Sequence, residues 1–157
     1  MTAPAPPASA MPHTILWIDP GLWSGVAVWQ PATRYYVAWE LQFKSLGAYL
    51  GQMPGGPGTW IGWERFTITQ QTVKLAQTRP NAFEVIGMCT WIAHARGWRV
   101  LPEQAPSERK AAPAAMLRRL GMHPGKQRDD DALSASSHLA VFLLNSGLMP
   151  ADLAALV

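Results

Sequence analysis

Ile15-Leu-Trp-Ile-Asp19-Pro-Gly-Leu-Trp-Ser-Gly25-Val-Ala-Val-Trp29 is the stretch around which the chain reads as a fold. A run of β-formers ends on one carboxylate, Asp19. Pro20-Gly21 then turns the chain, and a second β-rich run begins at Gly25. A carboxylate buried at a strand tip is costly unless a cation or a metal faces it. The nearest basic residue in sequence is Arg34, well beyond the turn. A metal or a catalytic role is therefore in view from the first strand.

Working outward, Thr14–Ile18 predicts a first, nearly all-apolar and hence central strand, with further strands over Gly25–Trp29 and Tyr35–Leu41. Their short links predict an antiparallel meander. Lys44–Gln52 predicts a short helix, Met53–Gly58 a loop, and Thr59–Trp63 a fourth strand that again ends on a carboxylate, Glu64. A helical region begins near Thr69, is interrupted at Pro80 and runs to about Arg96, with Gly97 as its cap. Trp98–Leu101 predicts a fifth strand. A helical stretch capped by Ser107 reaches Arg119 and is split by Pro113. Asp129–Leu144 predicts the last long helix, with Asp129 at its N-cap and small residues at Ala132 and Ser134–Ser137 for close packing on a sheet. Ala151–Val157 adds a terminal turn or two. The order predicts an α/β fold, a mixed five-stranded sheet with helices on both faces.

The 157 residues suit one domain, long enough to bury about 70% of the unfolded surface without staples. Hydrophobic residues make up 48% and charged ones 15%, which excludes a disordered chain. The one cysteine, Cys89, excludes an internal disulfide and a multi-cysteine zinc site, fits a reducing cytosol, and reads as core filler within Ile86–Ile92. No apolar run is long enough to span a membrane. Met1–Pro12 lacks a basic n-region and is broken by prolines, so it reads as a disordered tail preceding a domain over 13–157.

Three acidic loci stand out: Asp19, Glu64 and Asp129-Asp130-Asp131. If strands one and four lie parallel and adjacent, Asp19 and Glu64 meet at one edge, and a helix N-terminus brings the third locus to them. Asp19, Glu64, Asp130 and Asp131 are hard oxygen donors suited to Mg²⁺ or Mn²⁺, expected as two ions about 3.5–4 Å apart. Helix capping and the macrodipole also favour an acidic triplet at a helix start, and Asp-Pro-Gly also serves as a plain turn. The three loci hold five of the ten acids. The rest of the chain carries 13 basic residues against five acidic ones, within a formal net charge of +3. A basic surface around an acidic pit is what a nuclease needs.

Asp19-Pro-Gly with Ser24-Gly25-Val-Ala-Val resembles the opening motif of the RuvC-like Holliday-junction resolvases, members of the ribonuclease H-like nucleases. Glu64 before Arg65-Phe66 resembles the family's second acid, and Asp131-Ala-Leu-Ser-Ala its final helical motif. The likeness extends over about residues 13–145 and is nearest to the small bacteriophage resolvases. It implies a Mg²⁺-dependent endonuclease with Asp19, Glu64 and Asp131 catalytic, leaving a 5′-phosphate and a 3′-hydroxyl, and a homodimer cutting branched DNA symmetrically. It also implies a cytoplasmic setting, the host's if phage-encoded. Phe66 is the candidate for the aromatic that the family inserts at the junction, one residue nearer to Glu64 than in the bacterial form, and it reads equally as a core phenylalanine. Gln104, Ser107, Arg109 and Lys110 fall where it contacts the DNA backbone, and Lys74 and Arg79 flank that face.

The chain departs from the family where a second ligand is expected one helical turn from the last acid. Arg128 lies three residues before Asp131 and Ser134 three after. Asp129 or Asp130 could substitute. His138 shares the face two turns on; it reads first as surface or packing and second as a residue lining the site, a further candidate for the missing ligand. Alternative readings are a sister ribonuclease H-like nuclease acting on hybrids or flaps, and a non-catalytic junction-binding module. An actin-like ATPase is excluded by length and by the lack of a second phosphate loop.

Overall fold

A computed structural model describes residues 11–67, 82–126 and 130–157. Five strands form one mixed sheet: β1 Thr14–Asp19, β2 Trp23–Gln30, β3 Tyr35–Gln42, β4 Thr59–Trp63 and β5 Arg99–Val100, in the spatial order β3-β2-β1-β4-β5. β1, β2 and β3 pair antiparallel as the short turns require, whereas β1–β4 and β4–β5 are parallel. β1 is thus central, and both of its faces are covered. That explains why its residues are apolar without alternation.

Helices α1 Phe43–Gln52 and α2 Ala82–Ala95 cover one face of the sheet. A 3₁₀ helix over Pro106–Ala111, α3 Ala114–Arg119 and α4 Asp131–Asn145 cover the other, and α5 Ala151–Ala154 closes the described chain. Strand alternation sorts the core into two clusters. Leu16, Ile18, Val26, Val28, Ile61 and Trp63 face α1 and α2. Ile15, Trp17, Ala27, Trp29 and Trp60 face α4. Cys89 is fully buried in the first cluster, as expected of filler. The α/β architecture with helices on both faces is the one predicted.

Several boundaries move. β2 is longer than expected at both ends, and β5 is two residues rather than four. Gly97 follows α2 at φ +66°, the left-handed conformation a helix-ending glycine supplies. Ser107 does not cap a helix. Pro106 opens a 3₁₀ turn instead, and the Glu108 carboxylate accepts the Ala105 N–H at 2.7 Å. Pro113 separates that turn from α3 as its missing N–H dictates. The helix start expected at Thr69 and Pro80 lies outside the described residues, as does the 1–12 tail apart from Met11 and Pro12. Among the described residues no helix is long and apolar enough to cross a membrane.

α4 lies unusually close to the sheet, and its sequence explains how. Ala132, Ser134, Ala135, Ser136 and Ser137 are all buried. The Ser136 hydroxyl donates to the Ala132 carbonyl at 2.6 Å and Ser137 to that of Ala112 at 2.9 Å, so these small polar groups are buried with partners. On β2, a Cβ at Gly25 would lie 1.9 Å from the Asp131 carbonyl oxygen. Only glycine permits the first turn of α4 to sit there.

Candidate functional site

Period-2 alternation aims two carboxylates at α4. Asp19 continues the Ile15–Trp17 side of β1, and Glu64 the Trp60–Gly62 side of β4. Ile18 pairs with Trp63, and the Glu64 N–H donates to the Ile18 carbonyl at 3.0 Å, which sets the two acids at adjacent strand ends. Glu64 also bridges in parallel to Gln104. Asp19 pairs with Gly25, the residue beneath the start of α4. Asp131 occupies that first turn, with its Oδ2 3.7 Å from where a Gly21 Cβ would stand. Asp19, Glu64 and Asp131 are therefore neighbours, as the sequence predicts.

Ser134, one turn along α4 and 4% exposed, sits among them. Its hydroxyl donates to Glu64 Oε2 at 3.4 Å, also hydrogen-bonds Asp19, and accepts from Arg109 Nη1 at 3.2 Å. Burial first, then the charges of Glu64 and Asp131, push the Asp19 carboxyl up to about 7. The Ser134 bond and the Arg109 guanidinium oppose that rise without cancelling it. Arg34, the nearest cation in sequence, is spent elsewhere, pairing with Asp152 at 2.7 Å. Arg109, distant in sequence, reaches the acids instead.

His138 is not a surface residue: the structure packs it in the interior and places it on the site, its alternative reading. It is 0% exposed, its Nε2 lies 2.7 Å from Glu64 Oε2 and its Nδ1 2.7 Å from Gln104 Oε1. Its ring stacks on Trp17 at 16° with centroids 6.2 Å apart. Gln104 is a correction. At 7% exposure its amide is turned inward to His138, so it backs the site rather than meeting a DNA backbone. Sequence spacing placed His138 on the Asp131 face; that Glu64 would reach two turns along α4 was the missing piece.

Asp130 stands at the N-cap of α4 without a side-chain capping bond, in place of the expected Asp129, which lies outside the described residues with Arg128, Lys74 and Arg79. Ser107 and Lys110 are exposed on the 3₁₀ helix beside Arg109. Phe66 is half-buried against Phe83, edge to face with centroids 4.7 Å apart. Among the described residues no three His, Cys, Asp or Glu side chains close into a metal-binding group on their own. The donor chemistry nonetheless fits a hard divalent cation: three carboxylates and a hydroxyl, with the Asp19 carboxyl held protonated to about neutral pH first by burial and then by its like-charged neighbours.

Sheet order, strand directions and helices on both faces define a ribonuclease H-like fold of the RuvC kind. Among solved structures the chain matches T. thermophilus RuvC in complex with Holliday junction substrate. The TM-score is 0.54 and the identity 18%, over 88% of this chain and 98% of that one. At that identity the likeness is one of fold. No family model matches the chain, and no curated protein does.

Proposed function

We propose that the chain is a metal-dependent endonuclease of the small phage-resolvase kind, which cuts branched DNA, four-way junctions foremost, by symmetric phosphodiester hydrolysis. The observation that carries this reading is the meeting of Asp19, Glu64 and Asp131 beneath α4, on a fold shared with a RuvC solved on a junction. Asp19, Glu64 and Asp131, with Asp130 beside them, would hold Mg²⁺ or Mn²⁺, two ions in the fullest case. When bound, these supply the positive charge that activates a water and stabilises the leaving oxygen.

The chain's own residues do the rest. Ser134 orients Asp19 and Glu64 through one hydroxyl. Arg109, exposed at the rim and touching Ser134, is placed to take a phosphate oxygen and draw the scissile strand toward the acids. Lys110 and Ser107 extend that rim, and Phe66 with Phe83 offers an aromatic edge to an unstacked base. Symmetric cutting calls for two sites, and so for a homodimer.

A second reading has its own observation. Ser134 stands where a further acid is expected, and Arg109 reaches into the cluster, as in a junction-binding module that has lost catalysis. One assay separates the readings: a labelled four-way junction beside linear duplex, flap and RNA–DNA hybrid, with Mg²⁺ or Mn²⁺, for wild type and Asp19→Asn. Paired symmetric nicks on the junction, absent in the variant, are the expected result. Cutting chiefly of hybrid or flap moves the function to a sister nuclease. Tight junction binding without cutting under either metal supports the binding module.

A further inference from the structure

We infer that His138 and Gln104 are positioning residues that lock Glu64 in its ligand geometry, an inference that rests on reading Asp19, Glu64 and Asp131 as a metal site. The main chain of Glu64 is fixed on both sides, its N–H on the Ile18 carbonyl and its neighbours on Gln104. Gln104 N–H donates to Trp63 O at 3.3 Å, and Arg65 N–H donates to Gln104 O at 2.7 Å. The side chain is fixed from behind. His138 Nε2 and the Ser134 hydroxyl both fall on Oε2, at 2.7 and 3.4 Å, so both hold the carboxylate by the same oxygen.

The ring itself cannot drift. It is wholly buried, stacked on Trp17, and held at Nδ1 by Gln104. An ionised carboxylate only accepts, so Nε2 is the nitrogen that carries a proton toward Glu64. The Gln104 amide can present its oxygen or its nitrogen to Nδ1 by turning over. A phenyl ring would stack on Trp17 equally well, so packing alone does not account for a buried Gln–His–Glu chain. Groups hydrogen-bonded behind a ligating carboxylate fix its orientation, and their loss costs about 10–100-fold in metal affinity or activity.

The test is Mn²⁺ titration by calorimetry on wild type, Asp19→Asn, His138→Phe and His138→Gln, with junction kcat and KM measured in parallel. His138→Phe keeps the stacking and removes the donor. It is expected to weaken Mn²⁺ by about 10–100-fold and to lower kcat with little change in KM. His138→Gln returns an amide N–H near the place of Nε2 and is expected to restore most of the loss. Should the Phe variant fail to fold, Gln104→Met, which leaves His138 in place, is expected to weaken Mn²⁺ by severalfold or more. Unchanged Mn²⁺ affinity in whichever of these variants folds overturns the inference while leaving the metal site standing. A wild type without Asp19-dependent Mn²⁺ binding overturns both.

Discussion

Asp19 holds its proton to about pH 7 in the folded chain, because burial and the charges of Glu64 and Asp131 oppose its ionisation. An unfolded aspartate releases the proton near 3.8. Between those values the folded state binds more protons than the unfolded one. The stabilising contribution is complete below about pH 4 and is lost as pH rises through about 7. The gap sets a ceiling of about 4 kcal/mol, and solvent access at the site mouth reduces it to about half. In EDTA, Asp19→Asn is therefore expected to show a flatter stability profile from pH 4 to 7 than wild type. At pH 8 it should melt higher, by about 2–4 °C per kcal/mol gained. Adding Mn²⁺ should reverse that order, because the ion stabilises only the chain that binds it. Thermal melts at pH 5 and 8 with and without metal decide it; parallel profiles for the two proteins would show that Asp19 is not under this strain.

At the scale of elements, the site depends on α4 lying directly on β2, and Gly25 is the contact that allows it. In Gly25→Ala the new methyl would overlap the Asp131 carbonyl, a backbone atom that cannot swing away as a side chain does. The expected result is a loss of about 1–3 kcal/mol in urea unfolding, with Asp131 lifted from Asp19 and cleavage lost beyond what stability explains. Normal cleavage in a stably folded variant would mean that α4 adapts without moving Asp131. Gly62 differs in meeting a side chain, but that side chain is the fully buried Trp17 ring, 2.5 Å from where its Cβ would stand. These glycines show what the sequence conceals. Strand identity was legible because β1 and β4 are short apolar runs, each closing on an acid. The Asp19–Glu64 meeting followed from assuming those two strands adjacent and parallel. Arg109 was legible as a backbone contact and His138 as one candidate on the Asp131 face, but their bonds to Ser134 and Glu64 were not. The His138 bond depends on how far along α4 Glu64 reaches, the Arg109 bond on a 3₁₀ turn that the sequence suggests only as a capped helix. Local propensity cannot report either, because both contacts join residues far apart in the chain.

Across the whole molecule, the net charge of +3 is divided between an acidic pit and a basic remainder. Such a division separates two tasks: the remainder attracts phosphates over a distance, and the pit repels them until cations neutralise it. Binding of a junction should then depend steeply on salt, whereas the pit contributes little to affinity. Lys110 tests this cleanly, being exposed on the 3₁₀ helix beside Arg109 and outside the acid cluster. In an Asp19→Asn background, in which cutting is expected to be absent and binding kept, Lys110→Ala is expected to weaken four-way junctions of different sequence by similar factors. It should also reduce the slope of log affinity against log salt by about 1, as loss of one phosphate contact does. Fluorescence anisotropy at several salt concentrations gives both quantities. A weakened affinity with an unchanged slope would assign Lys110 to packing of the 3₁₀ helix, and no change in either would place the DNA path on another face. Because attraction is spread over the surface and neutralisation confined to the pit, adding Ca²⁺ to the native acids should tighten junction binding, and in Asp19→Asn it should do so less.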